Sequence, residues 1–141
     1  MKIAIPSESN TCLDSMRSGH FGHAPFFTIV TYTDSMDIES VESVKNVDHD
    51  AVGCGGVIDF VSSLDVDGIL AAGMGMPPFT RFINSGVQVY SDTTEPNVGK
   101  VAQLFAEGKL AGEDHVFDLL HEKIGQRKRG DLAVAHSRFL R

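Results

Sequence analysis

Imidazole and thiol groups are the side chains here best suited to hold a soft ligand, and they crowd the first third of the chain. Cys12, His20, His23, His49 and Cys54 all fall within residues 12–54. The densest stretch is Ser18-Gly19-His20-Phe21-Gly22-His23-Ala24-Pro25-Phe26-Phe27, with two histidines, two glycines, a proline and three aromatics in ten residues. Two imidazoles three residues apart, on a glycine-loosened loop beside a strand, suit a metal or cofactor site. Glycine also lets backbone come close to a ligand. Taken alone, the same loop reads equally as a turn with solvated histidines. Cys54 falls near the start of an expected helix, five residues after His49; as thiolate it would be a soft ligand for copper, zinc or iron–sulfur species. It reads as well as a small apolar packing residue. With no C-x-x-C pair, the spacing matches no zinc framework.

Gly73-Met74-Gly75 is the other stretch with chemical content. It precedes an expected helix, where backbone N–H groups form an anion cradle. It lacks the full G-x-G-x-x-G pattern and the P-loop lysine, so nucleotide binding has little support. Met74 and Met76 can line a polarisable pocket or pack inward. No G-x-S-x-G elbow occurs, and nothing in the spacing sets His20 or His23 as a base for Cys12 or Cys54.

The elements that must position these groups follow from hydrophobic pattern. Lys2–Ile5 reads as a buried first strand stopped by Pro6, and Phe26–Thr33 as a second. Asp37–Val47 reads as its hairpin partner. A polar, glycine-rich connection over 48–56 leads into a helix starting near Gly53–Gly56, with Val57, Phe60, Val61 and Leu64 on one face. Ile69–Ala72 is a buried strand, Pro77 and Pro78 open a helix, and Gly86 caps it. Val87–Tyr90 is a further strand, and Glu95-Pro96-Asn97 opens a helix ended by Gly108. This order implies a three-layer α/β domain with a mixed sheet, one antiparallel edge hairpin at 26–47, and flanking helices. Ligands in open α/β sheets sit at the carboxyl ends of the strands. The His20–His23 loop lies at that end if the second strand is antiparallel to the first.

Totals narrow the class. The chain has 141 residues, 42% hydrophobic and 22% charged, which suits one soluble domain. A formal net charge of −7 argues against nucleic acid as the main partner. Residues 121–141 carry six Lys/Arg against two acids, a net +4, leaving −11 on residues 1–120. That basic tail reads as a solvated terminus or as a contact for an acidic surface. Two cysteines make no disulfide framework, and no apolar run reaches the ~18–20 residues of a membrane span. Met1–Pro6 enters a strand directly with no signal-peptide pattern, so the expected compartment is the cytoplasm.

The segment Ser18–Phe26 after a Lys2–Ile5 strand resembles the hallmark of the nitrogenase iron–molybdenum cofactor biosynthesis family, the accessory factors and orange-protein-type carriers. Gly53-Cys54-Gly55-Gly56, Val66–Gly75 and Phe82–Tyr90 are similar as well, so the likeness covers residues 1–110. It implies a ribonuclease-H-like fold without nuclease chemistry. It also implies binding of a metal–sulfur cluster, such as an iron–molybdenum cofactor precursor or a molybdenum–copper sulfide. In the family a histidine of the His-Phe-Gly motif is implicated, here His20. The expected cofactor-binding set is Arg17, Gly19, His20, Phe21, Gly22, Gly73, Met74 and Gly75. In it the glycines admit backbone N–H groups to sulfides and Arg17 offsets the charge of the cluster. Metal-ligand candidates are His20, then His23, with Cys12, Cys54 and His49 on their chemistry alone. The resulting expectation is a domain at 1–110 with an extension at 111–141, acting as a non-enzymatic cluster carrier between donor and acceptor proteins. The alternative is a regulatory or scaffold module that binds a protein partner through its tail.

Overall fold

The central strand is set by a run with no polar interruption. In the computed structural model, which describes residues 1–110, β1 (Lys2–Ser7) has Ile3, Ala4 and Ile5 fully buried, as expected of a strand covered on both faces. The amphipathic stretch expected at 116–124, the basic tail and the rest of the 111–141 extension lie outside the described residues. β1 pairs antiparallel with β2 (Phe26–Tyr32), from Lys2 opposite Thr31 to Ser7 opposite Phe26. Pro6 therefore does not stop the strand. It stays in register opposite Phe27, and its carbonyl accepts from the Ser18 N–H at 2.9 Å.

β3 (Ile38–Lys45) pairs antiparallel with β2 and closes one edge. On the other side of β1, β4 (Gly68–Ala71) pairs in parallel, and β5 (Gln88–Ser91) pairs in parallel with β4. The five-stranded order is β3-β2-β1-β4-β5. The hairpin expected at 26–47 is the antiparallel edge of this mixed sheet.

Successive side chains on a strand point to opposite faces. Ala4, Phe27, Ile29, Ile69 and Val89 meet Val57, Ile58 and Val61 of α1 (His49–Ser63) and Phe79 and Phe82 of α2 (Met76–Asn84). Ile3, Ile5, Val30, Leu70 and Tyr90 meet Val98, Val101, Ala102 and Phe105 of α3 (Val98–Glu107). Helices thus cover both faces of the sheet. The Tyr32 hydroxyl donates to the Ala102 carbonyl at 2.8 Å, tying β2 to α3, and burial raises its pKa above the ordinary tyrosine range.

Helix ends follow ordinary capping chemistry with one exception. The Asn97 side chain accepts from the Lys100 N–H, and Gly108 ends α3 in the left-handed region. Pro77 and Pro78 lie in the first turn of α2. α1 has more than was expected: a short leg from His49, capped by the Asp48 carboxylate accepting from the Asp50 N–H, precedes the helix expected from Gly53–Gly56, which runs from Cys54. The glycine run lies inside it. Gly53 breaks the helix with φ 71° and ψ −179°, a conformation open only to glycine. Cys54 consequently opens the second, longer leg of a broken helix.

Phe82 is fully buried and meets the Phe21 ring edge-on at 5.4 Å between centroids. Phe82→Ala should lower unfolding free energy by about 3–5 kcal/mol, seen as a lower urea midpoint with unchanged slope.

Candidate functional site

Strand register gathers the loops. Ser7, Phe26 and Lys45 end up level at one end of the sheet. The exits of β4 at Ala71 and β5 at Ser91 lie at the same end, because both strands run parallel to β1. Residues 8–25, 46–50, 72–75 and 92–97 all leave or enter there. The antiparallel β2 thus brings the His20–His23 loop to the carboxyl end, as the sequence required.

That loop is pinned at alternate points. Ser18, Phe21, Gly22 and Ala24 are buried, whereas Gly19, His20, His23 and Pro25 are exposed. Phe21 is the anchor, packed in the α1/α2 core against Phe82. With Phe21 and Gly22 between them held inside, His20 and His23 are left at the surface. The Ser18 hydroxyl donates to the His20 carbonyl at 3.2 Å and accepts from the His20 N–H at 3.4 Å, which fixes the backbone without using the imidazole. The Asn46 amide donates to the Gly22 and Ala24 carbonyls at 3.3 and 2.8 Å, stitching the loop to the exit of β3.

His23 and His49 come together. Their rings stack at 3.9 Å between centroids with a 37° tilt. Gly22 makes this possible: a Cβ there would stand 2.9 Å from His49 Cδ2. Asp50 adjoins them, its Oδ1 4.0 Å from His49 Nδ1. A cavity of about 330 Å³ opens beside the pair, lined by His23, Pro25, Lys45, Asn46, Asp48 and His49 among others. Sequence spacing could not pair His23 with His49. The Asp48-capped start of α1 does so and also carries in Asp50, while the exit of β3 supplies Asn46; neither had been singled out from sequence.

The other expected residues divide. Cys12 is half-buried in a 3-10 turn (Cys12–Asp14) with φ 56°, and Cys54 is exposed; both are free thiols. Among the described residues, neither cysteine nor His20 joins a cluster of three potential ligands. Gly73 and Gly75 are exposed and Gly75 caps α2, while Met74 packs partly onto the α1/α2 core. Met16, Val52 and Met76 are the large apolar side chains left exposed among the described residues, and each belongs to a segment at this end.

Arg17 is held inside this end of the sheet. Its side chain is 6% exposed, and Nη1 donates to Asp92 Oδ1 at 3.5 Å and the Glu95 carbonyl at 2.9 Å. Asp92, fully buried, also accepts from the Thr94 and Glu95 N–H groups, both at 2.9 Å. Burial lowers the pKa of the guanidinium, with Asp92 and Glu95 opposing. Arg17 thus ties the loop after β1 to the loop after β5. Nη1 is the partnered nitrogen of this guanidinium, while Nε and Nη2 are buried without a hydrogen-bond partner among the described residues. Beside the exposed Lys45 at the end of β3, a further exposed cation is Arg81 of α2. Its Nη1 lies 2.6 Å from where a side chain on Gly55 would begin, and its guanidinium is only 3.9 Å-paired to the exposed Asp59. Arg17→Met should therefore cost about 2–3 kcal/mol of stability, read by urea unfolding, because it strips a buried carboxylate of its cation.

The fold has counterparts among solved structures. The crystal structure of PH0822 superposes with a TM-score of 0.69 at 26% identity, covering 83% of this chain and 99% of that one. A NifB-like protein of the DUF35 family from Thermotoga, TM1290, gives 0.58 at 32% identity, covering 77% and 90%. The apo form of the orange protein from Desulfovibrio gigas gives 0.60 at 20% identity, covering 79% and 92%, a likeness of fold. No curated protein matches the chain. The sequence profile described as dinitrogenase iron-molybdenum cofactor matches residues 1–108, and the chain belongs to that family.

Proposed function

We propose that the protein binds and carries a metal–sulfur cluster, an iron–molybdenum cofactor precursor or a molybdenum–copper sulfide, without catalysing a reaction. The observation that carries this reading is the convergence of the histidine-bearing and glycine-rich segments at one end of the sheet, in a chain of this family. Support for a ribonuclease-H-like fold comes from the β3-β2-β1-β4-β5 order in which β2 alone opposes the others.

The cluster is cargo. His20, exposed on a pinned backbone, donates its imidazole to a metal. Backbone N–H groups around Gly19 and Gly73-Met74-Gly75 face sulfides, and the first turn of α2 adds its partial positive charge. Arg17 offsets the charge of the cluster from inside the protein, and the exposed Arg81 adds a second cation. A single firm ligand on surface loops suits a carrier, which must release what it holds. The exposed Met16, Val52 and Met76 give the same end an apolar component for docking donor and acceptor proteins. No helix among the described residues is long and apolar enough to cross a membrane. The scaffold alternative depends on the basic tail, which lies outside the described residues.

Anaerobic reconstitution with tetrathiomolybdate and copper(I) tests the reading. Wild type should retain a coloured cluster through gel filtration. His20→Ala should bind at least about tenfold more weakly, the loss of roughly 1.4 kcal/mol or more for one ligand. Equal retention by the two proteins removes His20 from the site; no retention by wild type removes this molybdenum–copper cargo.

A further inference from the structure

The geometry points to a separate site for a single divalent transition-metal ion, formed by His23, His49 and Asp50. It is independent of the cluster cargo assigned to His20. The ligand atoms of these three side chains all lie within 4.8 Å of one another, the one such group of three among the described residues. Two imidazole nitrogens and a carboxylate oxygen are a borderline-hard donor set. They suit zinc, cobalt, nickel or copper(II) rather than calcium or magnesium, which prefer oxygen. Three protein ligands leave a coordination position for water.

Three further observations support the assignment. First, the two histidines come from segments 26 positions apart, yet their rings stack at 3.9 Å. That contact is held by absence of a side chain at Gly22, whose Cβ would collide with the His49 ring. Second, Asn46 lines the adjoining cavity, and its Oδ1 is buried without a hydrogen-bond partner. Its amide nitrogen is committed to two carbonyls, Gly22 and Ala24, so the orientation of the side chain is settled and the unpaired atom must be the acceptor. A buried acceptor without a donor is costly, so the wall of this cavity holds an unmet polar group. Third, the outer ligands can move. His23 is exposed and the Asp50 side chain is 91% exposed, while His49 is the half-buried, fixed member. Metal–ligand bonds of about 2.0–2.1 Å place ligand atoms roughly 3.3 Å apart, so closure requires rotating His23 and Asp50 inward by about 1 Å. Lys45, Asp48 and Asp50 are the charged groups around the cavity, a net negative surround for a cation.

An ion held here joins the loop before β2 to the first turn of α1. It therefore clamps the two segments flanking the cavity, and it should raise the thermal midpoint by mass action.

Titration of the full chain with cobalt(II) and zinc(II) tests the site. Calorimetry gives stoichiometry, and the cobalt d–d spectrum gives the donor set. Wild type should bind one ion, and cobalt should show bands of four- or five-coordinate nitrogen–oxygen ligation. His23→Gln and His49→Gln should each weaken binding at least about tenfold. Asp50→Asn should weaken it less. Gly22→Ala, which removes no ligand but presses its Cβ on the His49 ring, should also weaken binding and alter the cobalt spectrum by displacing that ring. His20→Gln should leave affinity unchanged. A variant with His115, His121 and His136 all changed to Gln should keep the site, which excludes those three as its source. Unchanged affinity in the His23→Gln/His49→Gln double variant overturns the assignment, as does equal loss in His20→Gln or no binding by wild type at 100-micromolar-scale metal. Circular dichroism and urea unfolding of each variant separate lost ligands from lost fold. Retention of the molybdenum–copper cluster by His49→Gln keeps the two sites distinct.

Discussion

Burial of β1 on both faces is the constraint on which everything else depends. Ile3, Ala4 and Ile5 have no solvent side, so both neighbours must pair with β1 and helices must cover both faces. β2 enters from a loop and pairs antiparallel, whereas β4 and β5 enter through helical crossovers and run parallel. One end of the sheet consequently receives the exits of β1, β3, β4 and β5 and the entry of β2. The chemistry of the chain is concentrated there because topology directs those segments there, not because the residues are close in sequence.

The loops are then immobilised by contacts that have no direct part in ligand binding. Phe21 is drawn into the α1/α2 core, Asn46 holds the Gly22 and Ala24 carbonyls, and Arg17 clasps Asp92 and the Glu95 carbonyl. These ties leave His20 and His23 outward on a fixed backbone. A motif of alternating histidine and aromatic residues is thereby resolved physically: the aromatic supplies the anchor and the histidines supply the chemistry. Arg81 and the broken start of α1 complete the surface from the other side. Gly53 sets the break, and Gly55 leaves space for the guanidinium.

Much of this was legible from pattern. The buried strands at Ile3 and Ile69, the hairpin beginning at Phe26, the proline-opened α2 and the Asn97 cap all follow from periodicity and local chemistry, which act over a few residues. The carboxyl-end placement of His20 followed from strand direction. What escaped were facts about partners. Glycine content made 48–56 look like a connection, yet an Asp48 cap and a single broken residue make it helical. Arg17 was expected to offset the charge of a cluster, and its burial beside Asp92, 75 residues away, could not be read from spacing. His23 and His49 were visible as candidates, but their stacking depends on tertiary contact through Gly22. No spacing rule encodes such pairings.

A backbone amide shift map of the uniformly labelled protein, recorded before and after addition of tetrathiomolybdate with copper(I), tests the central claim most directly. The account predicts perturbations confined to residues 17–24, 46–56 and 72–81, centred on His20, with residues 33–38 and 64–67 at the opposite end unmoved. Perturbations centred on that opposite end, or confined to residues 121–141, would contradict it.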